Sequence, residues 1–282
     1  MKKYLLVLLA IAAFAFGIIA LVSHQKKPVT AAIVHKKYVA LGDSVAAGVG
    51  LMPDRDSSAC GRTNQSYPYL ISQKLQYDLN DFSCTGATIS AGIVGGQVVN
   101  KLIETPQLDK LFESPKPDVI TITIGANDAD WTEFIGECYT ARCGTPEDVA
   151  KFDSRLESVT SSLRDTLNKI SEHYADNKPL VLVTGYYHVF PSPGPNCTDL
   201  NGIDPGEMSF IRHQQEAISL AVKAAVTQSP STRFVPLDFS GHELCNNTPW
   251  VQGIGDKQPY HPTAAGQAEI ARLLELEITS NQ

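Results

Sequence analysis

Short apolar, β-branched runs recur at residues 39–41, 79–84, 119–124, 180–184 and 234–237, each bounded by Gly, Pro, Asn or Asp, with helix-period segments in the intervals between several of them. Runs that are apolar at every position, rather than alternately, suit strands buried on both faces. Strands alternating with helices then imply a five-stranded parallel sheet, right-handed crossovers, and a layer of helices on each side. The expected fold is an α/β sandwich of three layers. In such folds, functional groups gather where strands end at their carboxyl termini.

The clearest helix carries Val149, Phe152, Leu156, Val159, Leu163, Leu167 and Ile170 at spacings of three and four, with Thr145 as a predicted N-cap and Pro146 in the first turn. A second carries Met208, Ile211, Ile218, Ala221, Val222 and Ala225, and a third is predicted to start at Pro262 and run through Ile270 and Leu274. Two stretches interrupt the alternation, residues 186–205 and 240–259. Long loops in a compact domain are more often functional than idle.

The first 37 residues stand apart. Residues 4–22 are almost wholly apolar after Lys2 and Lys3, and residues 23–37 form a polar, lysine-bearing tether. Nineteen residues at a helical rise of about 1.5 Å span roughly 28 Å, the thickness of a bilayer core, so a membrane anchor is favoured over a cleaved signal. Either way, residues 38–282 form the expected exported domain, in which disulfides are permitted. Six cysteines allow 15 pairings. Locality favours Cys60–Cys84, Cys138–Cys143 and Cys197–Cys245. A net charge of −7 without a basic stripe argues against a nucleic-acid partner. A monomer is expected, with membrane contact through the N-terminal segment only.

Gly42-Asp43-Ser44 follows the first apolar run and precedes the small-residue turn Val45-Ala46-Ala47-Gly48. A serine where a buried strand breaks into a tight turn is held out at the sheet edge, where an attacking hydroxyl must be. The hydroxyl needs a base close in space, and His261, just ahead of the last helix, is the candidate. A tetrahedral intermediate also needs fixed donors for its oxyanion. Candidates are the backbone N–H of Ser44, that of Gly86 after the second strand, and the side-chain amide of Asn127 in Gly125-Ala126-Asn127-Asp128. No CxxC or HExxH motif is present, so neither a catalytic metal nor a cofactor is expected.

In these blocks, taken in order, the chain resembles the SGNH (GDSL-type) hydrolases from Tyr38 to Leu276. The six cysteines, Gly185-Tyr186-Tyr187 leading to Phe190-Pro191, and Gly241-His242-Glu243-Leu244-Cys245 are similar to the exported, disulfide-bonded esterase and lipase branch. The resemblance implies a three-layer α/β/α sandwich with Ser44 as nucleophile, His261 as base, and Ser44, Gly86 and Asn127 as the oxyanion hole. Family members with a full triad carry an aspartate three residues before the histidine, where this chain has Gln258. A Ser-His dyad is therefore expected, with the Gln258 backbone carbonyl orienting the imidazole and Asp256 as the rival orienter.

Trp131, Tyr139, Tyr186, Tyr187, Phe190 and Trp250 lie near motif ends or in the long loops and are candidates for the walls of an acyl pocket. The loop histidines His188 and His242 are expected to serve local hydrogen bonding. The expected reaction is hydrolysis of a small-molecule or lipid carboxylic ester through an acyl-serine. Two alternatives are an O-acetyl-glycan esterase or acyltransferase of the same fold, and a surface-anchored binding protein without catalysis.

Overall fold

The structure, a computed structural model, describes residues 35–56, 58–192 and 198–280. The expected anchor and nearly all of the tether lie outside them, as does Cys197 and with it the expected Cys197–Cys245 pair. Among the described residues no helix is long and apolar enough to cross a membrane.

The central sheet comprises β1 (Lys37–Gly42), β2 (Asp78–Asp81), β5 (Val119–Thr123), β6 (Leu180–Thr184) and β7 (Thr232–Val235) in the order β2-β1-β5-β6-β7. Every pair is parallel. Side-chain alternation divides β1 between two cores. Tyr38 and Ala40 pack on one face with Tyr67 and Ile71 of α2 (Tyr67–Leu75) and Ile270 and Leu274 of α7 (Ala264–Thr279). Val39 and Leu41 pack on the other with Leu163 and Leu167 of α5 (Pro146–His173) and Val222 and Ala225 of α6 (Pro205–Thr227). This is the three-layer sandwich that the alternation of runs implies.

Local rules explain where elements begin and end. Thr145 caps α5 through a reciprocal capping box with Asp148, with Pro146 in the first turn. Asp204 and Glu207 do the same for α6. The last helix starts later than expected, because Thr263 is its N-cap and Pro262 is engaged in a bridge with Val251. β7 ends at Val235 because Pro236 has no N–H to extend the ladder. β2 is shorter than the apolar run, since Asp81 accepts the backbone N–H of Ser83 at 3.0 Å and turns the chain. Even so, Phe82 and Cys84 still donate to the carbonyls of Ala40 and Gly42.

Further elements add to this frame. A hairpin of β3 (Gln97–Val99) and β4 (Leu102–Glu104) stands apart from the main sheet, and α3 (Gln107–Glu113) follows it. A short helix, α1 (Ser44–Ala47), leaves β1, and α4 (Trp131–Thr140) follows β5. Cys60–Cys84 ties the loop after α1 to the end of β2, and Cys138–Cys143 closes the end of α4.

The tightest junction is at Gly42. Its φ is +139°, and a Cβ there would lie 2.3 Å from the Thr123 carbonyl oxygen. Gly42→Ala therefore combines forbidden backbone geometry with an atomic overlap, and we expect a loss of at least about 3 kcal/mol in folding stability. Urea denaturation of the two proteins measures it; a loss below about 1 kcal/mol would show that the junction yields.

Candidate functional site

Ser44 opens α1 at the carboxyl end of β1 and is 8% exposed. Asp43, 1% exposed, is the N-cap: its Oδ1 accepts the N–H of Val45 at 2.9 Å, and its own N–H donates to the Thr123 carbonyl at 3.0 Å. Gly48, at φ +74°, ends the single turn. The backbone N–H of Ser44, at the first helical position, has no intrahelical acceptor and stays available.

His261 comes from the other end of the chain. Backbone pairing seats it: the Gln252 N–H donates to the His261 carbonyl at 2.8 Å, and the Tyr260 N–H to the Gln252 carbonyl at 2.9 Å. Its Nε2 lies 2.7 Å from Ser44 Oγ, and its Nδ1 lies 3.0 Å from the Pro259 carbonyl oxygen. A carbonyl can only accept, so Nδ1 carries the proton and Nε2 presents its lone pair to the serine hydroxyl.

This corrects the expected orienter. The ring is held by the carbonyl of Pro259, while that of Gln258 takes the His261 backbone N–H at 3.4 Å. Tyr260, at φ +68°, supplies the bend that aims the carbonyl two residues back at the ring. Asp256 is exposed, and its Oδ2 accepts the N–H of Gly253 at 2.7 Å. It caps its own turn. Burial depresses the imidazole pKa below its usual 6.5, with the Pro259 and Gln258 carbonyls pulling the other way, and so favours the neutral ring.

The third strand end contributes Asn127. Its Nδ2 donates to the Ala87 carbonyl at 2.8 Å, which fixes the amide and leaves one hydrogen for another acceptor. Asp128 beside it accepts the Ile89 N–H at 2.9 Å, and burial raises its pKa to about 6. These bonds tie the Asn127 loop to the turn that holds Gly86. Gly86 adopts φ +73°, where an added Cβ would meet only ordinary contacts, so the turn's conformation rather than crowding calls for glycine. Gly86 is not part of the wall of the pocket beside Ser44.

That pocket, about 40 Å³, brings together Ser44, Asn127 and His261. Of the proposed aromatic walls, Trp131, Tyr186 and Tyr187 line it. Phe190 is fully buried, Tyr139 packs on Tyr260, and Trp250 stacks on His242 with ring centroids 3.7 Å apart. Those three support the loops instead. His242 Nδ1 bonds the Thr248 carbonyl at 2.7 Å, and His188 faces a separate cavity. Tyr260, Val189 and Gln215 also line the pocket, although no local pattern marks them in the sequence. Among the described residues no cluster of ligating side chains could hold a metal.

Fold and site together define an α/β/α hydrolase of the SGNH type. The chain belongs to the GDSL-like Lipase/Acylhydrolase family, which it matches over residues 40–269. It is 29% identical to Lipase 2 of Streptomyces coelicolor (strain ATCC BAA-471 / A3(2) / M145) over 255 residues, 83% of each chain. Identity to a lipase of Streptomyces rimosus is 28%, over 82% of each. Among solved structures, an extracellular lipase of Streptomyces rimosus matches with a TM-score of 0.65 and 26% identity, covering 85% of this chain and 98% of that one. Phospholipase A1 of Streptomyces albidoflavus NA297 matches with a TM-score of 0.66 and 26% identity, covering 86% and 99%. The protein is accordingly a carboxylic ester hydrolase.

The buried acid beside Ser44 makes stability depend on pH. Burial raises the Asp43 pKa from 3.8 to about 7, against hydrogen bonds from Tyr186 and Val45 that lower it. Its contribution to stability is thus full below pH 4 and is lost as pH rises towards 7, because the unfolded chain ionises first. Asp43→Asn, which cannot ionise, is expected to gain stability relative to the native protein by a few kcal/mol between pH 4 and pH 8. Urea midpoints across that range test this; a difference that does not change with pH would contradict it.

Proposed function

We propose that Ser44 and His261 form a catalytic dyad that hydrolyses lipid carboxylic esters in two steps. The observation that carries the reading is the 2.7 Å contact between Ser44 Oγ and His261 Nε2, with Nδ1 committed to the Pro259 carbonyl. Ser44 Oγ attacks the acyl carbon while its proton passes to Nε2. The oxyanion is met by the N–H groups of Ser44 and Gly86 and by the free amide hydrogen of Asn127. The imidazolium then protonates the departing alkoxide, and water repeats the sequence on the acyl-serine.

The substrate class draws on the relatives, two described as lipases and one as a phospholipase A1. The apolar side chains of Trp131, Tyr187 and Val189 in the pocket wall suit an acyl group better than a sugar. Two disulfides, and a relative described as extracellular, support an exported enzyme whose N-terminal 37 residues direct it out of the cytoplasm.

Ser44→Ala and His261→Ala are each expected to lower kcat on a soluble chromogenic ester by at least about 10,000-fold. Asn127→Ala is expected to cost about 100 to 1000-fold, and Asp256→Ala less than about twofold, because a backbone carbonyl performs the orienting task. Turnover that survives Ser44→Ala in the folded protein would overturn the dyad. An Asp256→Ala enzyme as inactive as His261→Ala would overturn the role of Pro259.

A further inference from the structure

Three strand ends meet at the site, and their backbone ladders stop short of it. β1 and β5 pair as far as Gly42 and Thr123, and β5 and β6 as far as Ile122 and Val183. Beyond those points one backbone bond, from the Asp43 N–H to the Thr123 carbonyl, links β1 to β5, and side chains set the rest of the spacing between the Ser44 turn and the Asn127 loop. One phenol oxygen reaches both. The Tyr186 hydroxyl donates to Asp43 Oδ2 at 2.5 Å and accepts the N–H of Ala126 at 3.1 Å.

Tyr186 is itself fixed from behind. Its backbone N–H donates to Ser219 Oγ at 2.9 Å, and Ser219 Oγ donates to its carbonyl at 3.0 Å, so the residue is clamped to α6. Asp43 Oδ1 accepts the Val45 N–H, the Ala46 N–H also acts on the carboxylate, and the Tyr186 hydroxyl is the side-chain donor, at Oδ2. We infer that Tyr186 is a positioning residue: through Asp43 and Ala126 its hydroxyl holds the nucleophile turn and the oxyanion loop at the separation the tetrahedral intermediate requires. The inference rests on the assignment of Ser44 as nucleophile and Asn127 as oxyanion donor.

The arrangement has a titration signature. The ionisable groups around Asp43 are Tyr186 and Tyr187 after β6, Tyr67 of α2, Asp128 of the Asn127 loop, and His261 across the pocket. None is a lysine or arginine. The Tyr186 hydrogen bond therefore works in the direction a cation would, lowering an Asp43 pKa that burial raises, while burial and the charge of Asp43 hold the phenol itself well above its usual pKa. Without the hydroxyl, the Asp43 pKa rises further, and the carboxyl protonates at higher pH.

Tyr186→Phe removes both hydrogen bonds and keeps the ring. The expected result on a soluble chromogenic ester is a fall in kcat of about tenfold, with KM within about twofold and the acid limb of kcat displaced to higher pH. In an Asp43→Asn background the same change should cost less than about threefold, because the shared link is already cut. A Tyr186→Phe enzyme with native kcat and an unmoved acid limb would overturn the inference, even if its melting temperature fell. Should that variant fail to fold, Ser219→Ala loosens the clamp and keeps the phenol; it is expected to lower kcat about threefold, and unchanged kcat would overturn the inference as well. Ser44→Ala in the same assay separates the outcomes, since turnover persisting there overturns the nucleophile assignment rather than the role of Tyr186.

Discussion

The reversal of the chain at Gly42 is the constraint on which the site depends. To place Ser44 on the rim, β1 must turn directly against the last carbonyl of β5, at a distance no Cβ could share. Both polar groups of Gly42 are met by one buried side chain: its N–H donates to Gln107 Oε1 at 2.8 Å, and Gln107 Nε2 donates to its carbonyl at 2.9 Å. Thr123 is braced in turn by hydroxyl contacts to Tyr67 at 2.9 Å and Thr184 at 2.7 Å. Gln267 extends the seating, accepting from the Tyr67 N–H and donating to the Val45 carbonyl. Buried amides with both ends satisfied fix geometry that apolar packing alone leaves loose.

Around that seat the molecule gives up stability for position. Asp43 and Asp128 are acids raised by burial; Asp43 accepts the Val45 N–H and the Tyr186 hydroxyl, and Asp128 accepts the Ile89 N–H, none of them a cation. A hydrophobic residue at either place would be cheaper to bury. It could not cap α1 or hold the Asn127 loop against Ile89. Carboxylates are kept here because three turns from three strands must be joined where no ladder joins them.

The layers were legible in the sequence because burial on both faces leaves uninterrupted apolar runs, and because Thr145 and Pro146 announce α5 by local chemistry. The hairpin of β3 and β4 was not. Its turn, Asn100-Lys101, has φ of +47° and +67° without the glycine that usually marks such a turn, and Val98, Leu102 and Ile103 are exposed rather than patterned against a core. Ser44, Asn127 and His261 could be singled out because each follows a recognisable break. Gln107 and Gln267 act across 65 and 222 positions, and nothing local distinguishes them from surface residues; Tyr186 stands out as a pocket wall, but its bond to Asp43 spans 143 positions and leaves no local sign.

The shift from Gln258 to Pro259 as the carbonyl facing the ring shows why such details escape a linear reading. Counting three residues back assumes a regular approach to the histidine, whereas Tyr260 adopts a left-handed conformation that rotates the preceding peptide toward the imidazole. The same peptide carries the Tyr260 N–H, which donates to the Gln252 carbonyl at 2.9 Å, so it presents its carbonyl to the ring without leaving its donor unmet in the same crowded turn. The Tyr187 hydroxyl then donates to the Tyr260 carbonyl at 2.9 Å and holds the next peptide as well. In the proposed dyad a backbone held on both sides stands where a carboxylate would, and burial depresses the His261 pKa more than the Pro259 and Gln258 carbonyls raise it: the imidazolium, less stabilised, is the stronger acid toward the departing alkoxide.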